Sequence, residues 1–218
     1  MKLADELIAE HELIDRALGA FRTWAQAWAR GEGEVAHGRA FLTFFQRWAH
    51  DFHHAREEDV FVPALVAEVS LPRERGPIAV ILDDHVVMGR LRAAMTDSLD
   101  RDDAGSRQRV DELAREFSHR LWHHLDAENS VFFPEGVERL RKRGVYELEG
   151  RGPTADELEA KRAVEALLER YPPLRDATVY RGDGCVMCPA YNETCRGLER
   201  EWWTESEWDE LSQRLGSD

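Results

Sequence analysis

The sequence is poor in positive charge. Its 218 residues carry 29 Lys and Arg against 43 Asp and Glu, a formal net charge of -14. Nucleic acids and anionic membranes both ask for a basic footprint, so neither is expected as a partner. Long apolar runs are also missing. No stretch reaches the length of a transmembrane helix, and the opening MKLADELIAE is charged where a signal peptide would be apolar. A soluble cytoplasmic protein is the expectation. Cysteine is confined to positions 185, 188 and 195, which leaves the main body nothing to cross-link. No segment alternates with period two for long enough to make a convincing strand.

What remains is helix. A hydrophobic fraction of 43% is ordinary for a globular chain, and the length allows one good-sized domain with an appendage. Residues 3–30 read as one amphipathic helix whose seam is Leu7, His11, Ile14, Leu18, Phe21, Ala25 and Trp28. GEGE at 31–34 ends it. A second helix runs from near Val35 to about Val69, with Phe41, Phe45, Trp48, Ala49 and Phe52 toward the core. SLPRERGP makes a turn, and Pro77 suits the first turn of a third helix that buries Ile81, His85, Met88, Leu91, Met95 and Leu99. The fourth carries Val110, Leu113, Phe117, Leu121, His124, Glu128 and Val131 and ends before Gly144. Four long helices with short polar loops predict an all-α, up-down-up-down four-helix bundle over residues 1–145. Composition shifts beyond that point. Residues 146–218 read as a C-terminal extension: a short helix with Thr154 and Glu157 as its capping box, a loop, the cysteine segment, and a last short helix with Thr204 and Glu207 at its start.

The seam holds groups that an apolar core excludes. His11, His85 and His124 each stand where the pattern calls for Leu or Ile. On the second helix His53 and His54 compete. Steps of ~100° from Phe45 leave His53 about 80° from the centre of the apolar face and put His54 near the opposite side. His53 and Glu57 therefore border the core, and His54 and Glu58 are expected to face outward. The two prolines support this alignment. FHHAREEDVFVP at 52–63 and WHHLDAENSVFFP at 122–134 share an ending, and His53 and His124 each lie ten residues before their proline. Glu57 and Glu128 each lie six before it. A spacing of four puts each His-Glu pair on one face, one turn apart.

A lone seam histidine is most often a satisfied core residue. Six groups converging from four helices are a different matter, because burying such ions without partners costs several kcal/mol each. Metal ions compensate on the spot: imidazole suits iron, copper, zinc and nickel, and carboxylates bridge two ions. His11, His53, His85, His124, Glu57 and Glu128 exceed what one tetrahedral zinc needs and suit a two-metal site with bridging glutamates. Among the remaining histidines, His37, His50 and His119 read as solvated or outer residues, with His54 and His123 the first candidates for extra ligands. Glu-x-x-His pairs also occur, in EVAH at 34–37 and EFSH at 116–119. The first falls at a helix start and the second points off the Phe117 seam, so neither is assigned to the site.

These residues resemble the hemerythrin-like family of HHE cation-binding domains. The resemblance rests on His11, on His53 to Glu57 (HHARE), on His85 in DDHVVMGRL, on His124 to Glu128 (HLDAE), and on the Phe-Pro endings after each glutamate. It covers roughly the first two thirds of the chain. The family implies a non-haem di-iron centre with an oxo or hydroxo bridge and small diatomic ligands or peroxide as partners; a homodimer or a redox partner is a separate expectation. It implies a protein that binds or senses O2, NO or peroxide, with a peroxide- or NO-consuming oxidoreductase and an iron or zinc store as alternatives. Its oxygen-carrying members have a second histidine four residues after the first on helix three. That position is Gly89 here, which implies an open coordination position unless water or His123 fills it.

Cys185, Cys188 and Cys195 form C-x2-C-x6-C. Structural zinc wants four ligands, so a zinc reading needs a fourth from His119, His123 or another subunit. An iron-sulfur cluster, a redox thiol pair, a disulfide, or free thiols packed near Trp202 and Trp203 are the other readings.

Overall fold

The computed structural model describes residues 1–101, 103–174 and 202–215. Four rods build it. The first is α1 (Lys2–Ala29). The second is one continuous rod made of α2 (Val35–Phe44), a π-helical stretch π1 (Phe45–His54), a second π2 (Glu57–Phe61) and α3 (Val62–Val69). The third is α4 (Gly76–Leu99), and the fourth joins α5 (Ala104–Ala127), π3 (Glu128–Phe132) and α6 (Phe133–Lys142). No strand occurs among the described residues, and no helix there is long and apolar enough to cross a membrane. The fold is all-α, a four-helix bundle with extra C-terminal helices.

The turns follow from local chemistry. Gly31 adopts φ 78° directly after α1, a left-handed conformation that glycine takes without steric cost. Asp103 caps α5 by accepting from the Ser106 amide at 2.9 Å. Gly38 allows the closest approach in the bundle. A Cβ there would lie 2.2 Å from the Trp24 ring, so only a hydrogen lets the second rod press against that indole. Trp24 Nε1 in turn donates to the Glu34 carbonyl at 3.0 Å, fixing where the second rod begins.

The core is split into two apolar layers. The larger gathers Ile14, Phe21, Trp24, Phe41, Phe45, Met88, Phe117 and Leu121. The smaller gathers Leu3, Leu7, Phe61, Leu65, Ile78, Ile81, Phe132 and Phe133. On every rod the residues between these layers are the ionisable ones: His11, then His53 to Glu57, then Asp84 and His85, then His124 to Glu128. Each fully buried Leu or Phe contributes about 1.5–3 kcal/mol, so the two layers hold the bundle shut around a polar slab.

The C-terminal helices use the same core. α7 (Ala155–Leu168) starts with the full Thr154–Glu157 capping box and buries Val164, Leu167 and Leu168 against the larger layer, with Tyr171 following. Tyr171 shares a 2.8 Å hydrogen bond with His37. α8 (Glu205–Leu215) follows Trp202, which packs in the smaller layer on Phe132. The Thr204 amide donates to Glu207 at 2.7 Å.

Candidate metal centre

The two prolines shape the site. Pro63 and Pro134 stand in the first turns of α3 and α6, and proline has no N–H to close an α turn behind it. The helix widens instead. The Val62 amide reaches back five residues to the Glu57 carbonyl, and the Phe133 amide does the same to the Glu128 carbonyl. Both inward glutamates thus open a π turn, a feature that recurs at functional sites.

The stretch π1 explains where the helical-wheel expectation fails. A π turn holds more residues, so each step advances by roughly 80–85° instead of ~100°. Over the nine steps from Phe45 the deficit swings His54 through nearly half a turn. His54 is accordingly buried, 4% exposed, and stacks on His85 with ring centroids 3.9 Å apart. The outward placement expected for it is wrong. Glu58 is not free in solvent either: it is half-buried and accepts from His85 Nδ1 at 2.7 Å.

The structure brings His11, His53, Glu57, His85, His124 and Glu128 together, each at most 3% exposed. Their Nε2 atoms form two pairs, His11 with His53 at 3.0 Å and His85 with His124 at 3.1 Å. The glutamates lie between. Glu57 sends Oε1 to His53 (3.0 Å) and Oε2 to His85 (3.4 Å). Glu128 sends Oε2 to His11 (3.3 Å) and Oε1 to His124 (3.2 Å). Each carboxylate therefore spans both pairs, one oxygen apiece. Two groups of donor atoms close enough to hold an ion result: His11, His53, Glu57 and Glu128, and His54, Glu57, His85 and His124. Glu57 belongs to both.

Without cations this arrangement is electrostatically discordant. All four oxygens of Glu57 and Glu128 and both nitrogens of His54 lack a hydrogen-bond partner. Burial, then the charge of Glu57, pushes the Glu128 carboxyl well above the usual range. Burial also works against a charge on Glu57, but His53 outweighs it and holds Glu57 at about 2. Burial opposes charge on His53 too, and Glu57 and Glu10 overcome it, lifting His53 to about 9. His11, desolvated and facing His53, is lowered to about 3. Two buried acid groups with idle oxygens, between imidazoles facing one another Nε2 to Nε2, are a donor set that fits two cations.

Outside this slab each of four histidines has a polar neighbour at Nδ1: Asn129 for His11 at 2.8 Å, Glu10 for His53 at 2.9 Å, Glu58 for His85, and Asp84 for His124 at 3.5 Å. Arg56 clamps Glu10, and Arg120 holds Asp84 at 2.5 Å. Sequence reasoning missed these partners. The signal was adjacency, since each is next in sequence to an inward histidine or glutamate.

Other expected residues lie elsewhere. His119 and His123 line a groove of about 1030 Å³ between the third and fourth rods, with Asp83, Asp84 and Glu112. Neither belongs to the two donor groups found among the described residues. Cys185, Cys188 and Cys195 lie outside the described residues.

Comparison with known proteins agrees with this geometry. No curated protein and no solved structure matches the chain. The family model described as hemerythrin HHE cation binding domain matches residues 2–135, which takes in all four rods up to the first turn of α6 and every residue of the slab. The chain belongs to the hemerythrin HHE cation-binding family.

Proposed function

We propose that the chain is a non-haem di-iron protein that binds or senses O2, NO or peroxide. The observation that carries this reading is the double span of the glutamates: one oxygen of each faces each histidine pair, and none is otherwise hydrogen-bonded. His11 and His53 would hold one ion, and His54, His85 and His124 the other, with Glu57 and Glu128 across both. When bound, a pair of irons supplies Lewis-acidic, redox-active positions for a small ligand.

The chain's own residues do the rest. The apolar layers on either side exclude bulk water, so charge interactions in the slab are strong. Burial of every donor limits access to small molecules. Glu10 and Glu58 accept at Nδ1, fixing the tautomer and ring orientation of His53 and His85 and keeping each Nε2 turned inward. Gly89 presents no side chain, and a Cβ there meets nothing within 4 Å, so the third imidazole beside His85 comes from His54.

The test is an absorption spectrum with metal analysis, before and after azide, NO and peroxide. The expected result is two irons per chain, an oxo-bridge band, and a reversible change with azide or NO. Steady catalytic loss of peroxide would mark an oxidoreductase instead. Variable metal content with no such band would mark a store and contradict the proposal.

A further inference from the structure

The outer partners follow a two-fold rule. On the first and third rods, the residue just before the inward histidine reaches the histidine of the next rod: Glu10 to His53 and Asp84 to His124. On the second and fourth rods, the residue just after the inward glutamate reaches the histidine of a neighbouring rod: Glu58 to His85 and Asn129 to His11. The half-turn that exchanges the first rod with the third and the second with the fourth maps each contact onto another. One substitution breaks the chemistry of the ring. Where His85 has a carboxylate, His11 has a neutral amide.

That difference has consequences at the far side of each imidazole. A carboxylate accepting from Nδ1–H makes Nε2 a stronger donor to a metal, and a neutral carbonyl oxygen does so less. The His85/His124 side has Glu58 hydrogen-bonded behind His85, Asp84 3.5 Å from His124 Nδ1, and His54 beside both. The His11/His53 side has one carboxylate and one amide.

We propose that the Glu58/Asn129 asymmetry makes the two metal positions unequal, so that the position at His54, His85 and His124 fills first and the position at His11 and His53 fills second and exchanges first. Glu58 and Asn129 act as positioning residues through His85 and His11. The inference rests on the two-ion reading of the site. Its reach is wider than ligand identity, because it predicts a protein that retains one ion while the other comes and goes.

The experiment titrates the metal-free full-length protein with Co(II) against a competing chelator, reading both dissociation constants from the Co(II) absorption bands. The expected wild-type result is two separated steps. Asn129→Asp should tighten the second step by about tenfold and leave the first unchanged, since loss of such outer partners typically shifts affinity by about 10–100-fold. Glu58→Gln should weaken the first step by about tenfold or more and leave the second unchanged. Both changes are nearly isosteric, and equal melting temperatures of the metal-free variants and wild type would show that the fold is intact. Opposite movement of the two steps supports the inference. Two bound ions whose steps ignore both substitutions, or shift together, would overturn it while leaving the two-ion reading intact. Failure of the wild type to bind Co(II) would overturn both.

Discussion

Glu128→Leu is expected to change metal binding and metal-free stability in opposite directions. Glu128 is fully buried between His11, His124 and Glu57, and neither of its oxygens has a hydrogen-bond partner. Removing it deletes one oxygen donor from each histidine pair, so iron content should fall from two per chain to one or none. The metal-free protein should gain. An unpaired buried polar group costs a folded protein about 1–3 kcal/mol, a cost that an apolar side chain of similar volume removes. In a chain of this size each kcal/mol corresponds to about 2–4 °C in Tm. Calorimetry on chelated samples would therefore show the variant melting above wild type. The sign is the informative part. A metal-free variant that melts well below wild type would mean that Glu128 is satisfied by the protein itself and is not held ready for cations.

His54→Ala is expected to have the next largest effect, and one that a second substitution should reverse. His54 stacks on His85 and completes the donor group with Glu57 and His124. Its loss should cut iron retention against a chelator by well over tenfold on that side, since even outer partners are worth about 10–100-fold. Gly89 lies four residues after His85 on α4, hence on the same helical face. Space is open around it. Gly89→His in the His54→Ala background should restore most of the retention, because the imidazole then arrives from the third rod instead of the second. Retention unchanged by His54→Ala would remove His54 from the site. A loss that Gly89→His cannot repair would show that the two positions are not interchangeable.

The bundle could be read from periodicity because four rods bury wide stripes, and the stripe survives errors of a residue or two. The repeated His-x3-Glu and its proline placed His53, Glu57, His124 and Glu128 correctly on the inner faces. His54 could not be placed that way. Its direction depends on accumulated twist, and π1 changes the twist without altering which residues are apolar. The outer ring was illegible for another reason. Glu10, Glu58 and Asp84 are acidic residues in a chain with 43 of them, and adjacency alone does not separate a brace for a histidine from a solvated surface charge. Only the rotation of neighbouring rods decides that Glu10 serves His53 rather than His11 beside it. The extension behaved as its caps suggested at Thr154, where a charge-assisted box satisfies the first amides of α7.

The central claim is that two ions sit side by side in the slab between the apolar layers, with Glu57 and Glu128 across both. Anomalous diffraction at the iron edge, from crystals of protein loaded with iron, tests it most directly. Two peaks are predicted, one flanked by His11 and His53 and the other by His54, His85 and His124. One peak alone, or iron held in the outer groove beside His119 and His123, would contradict it.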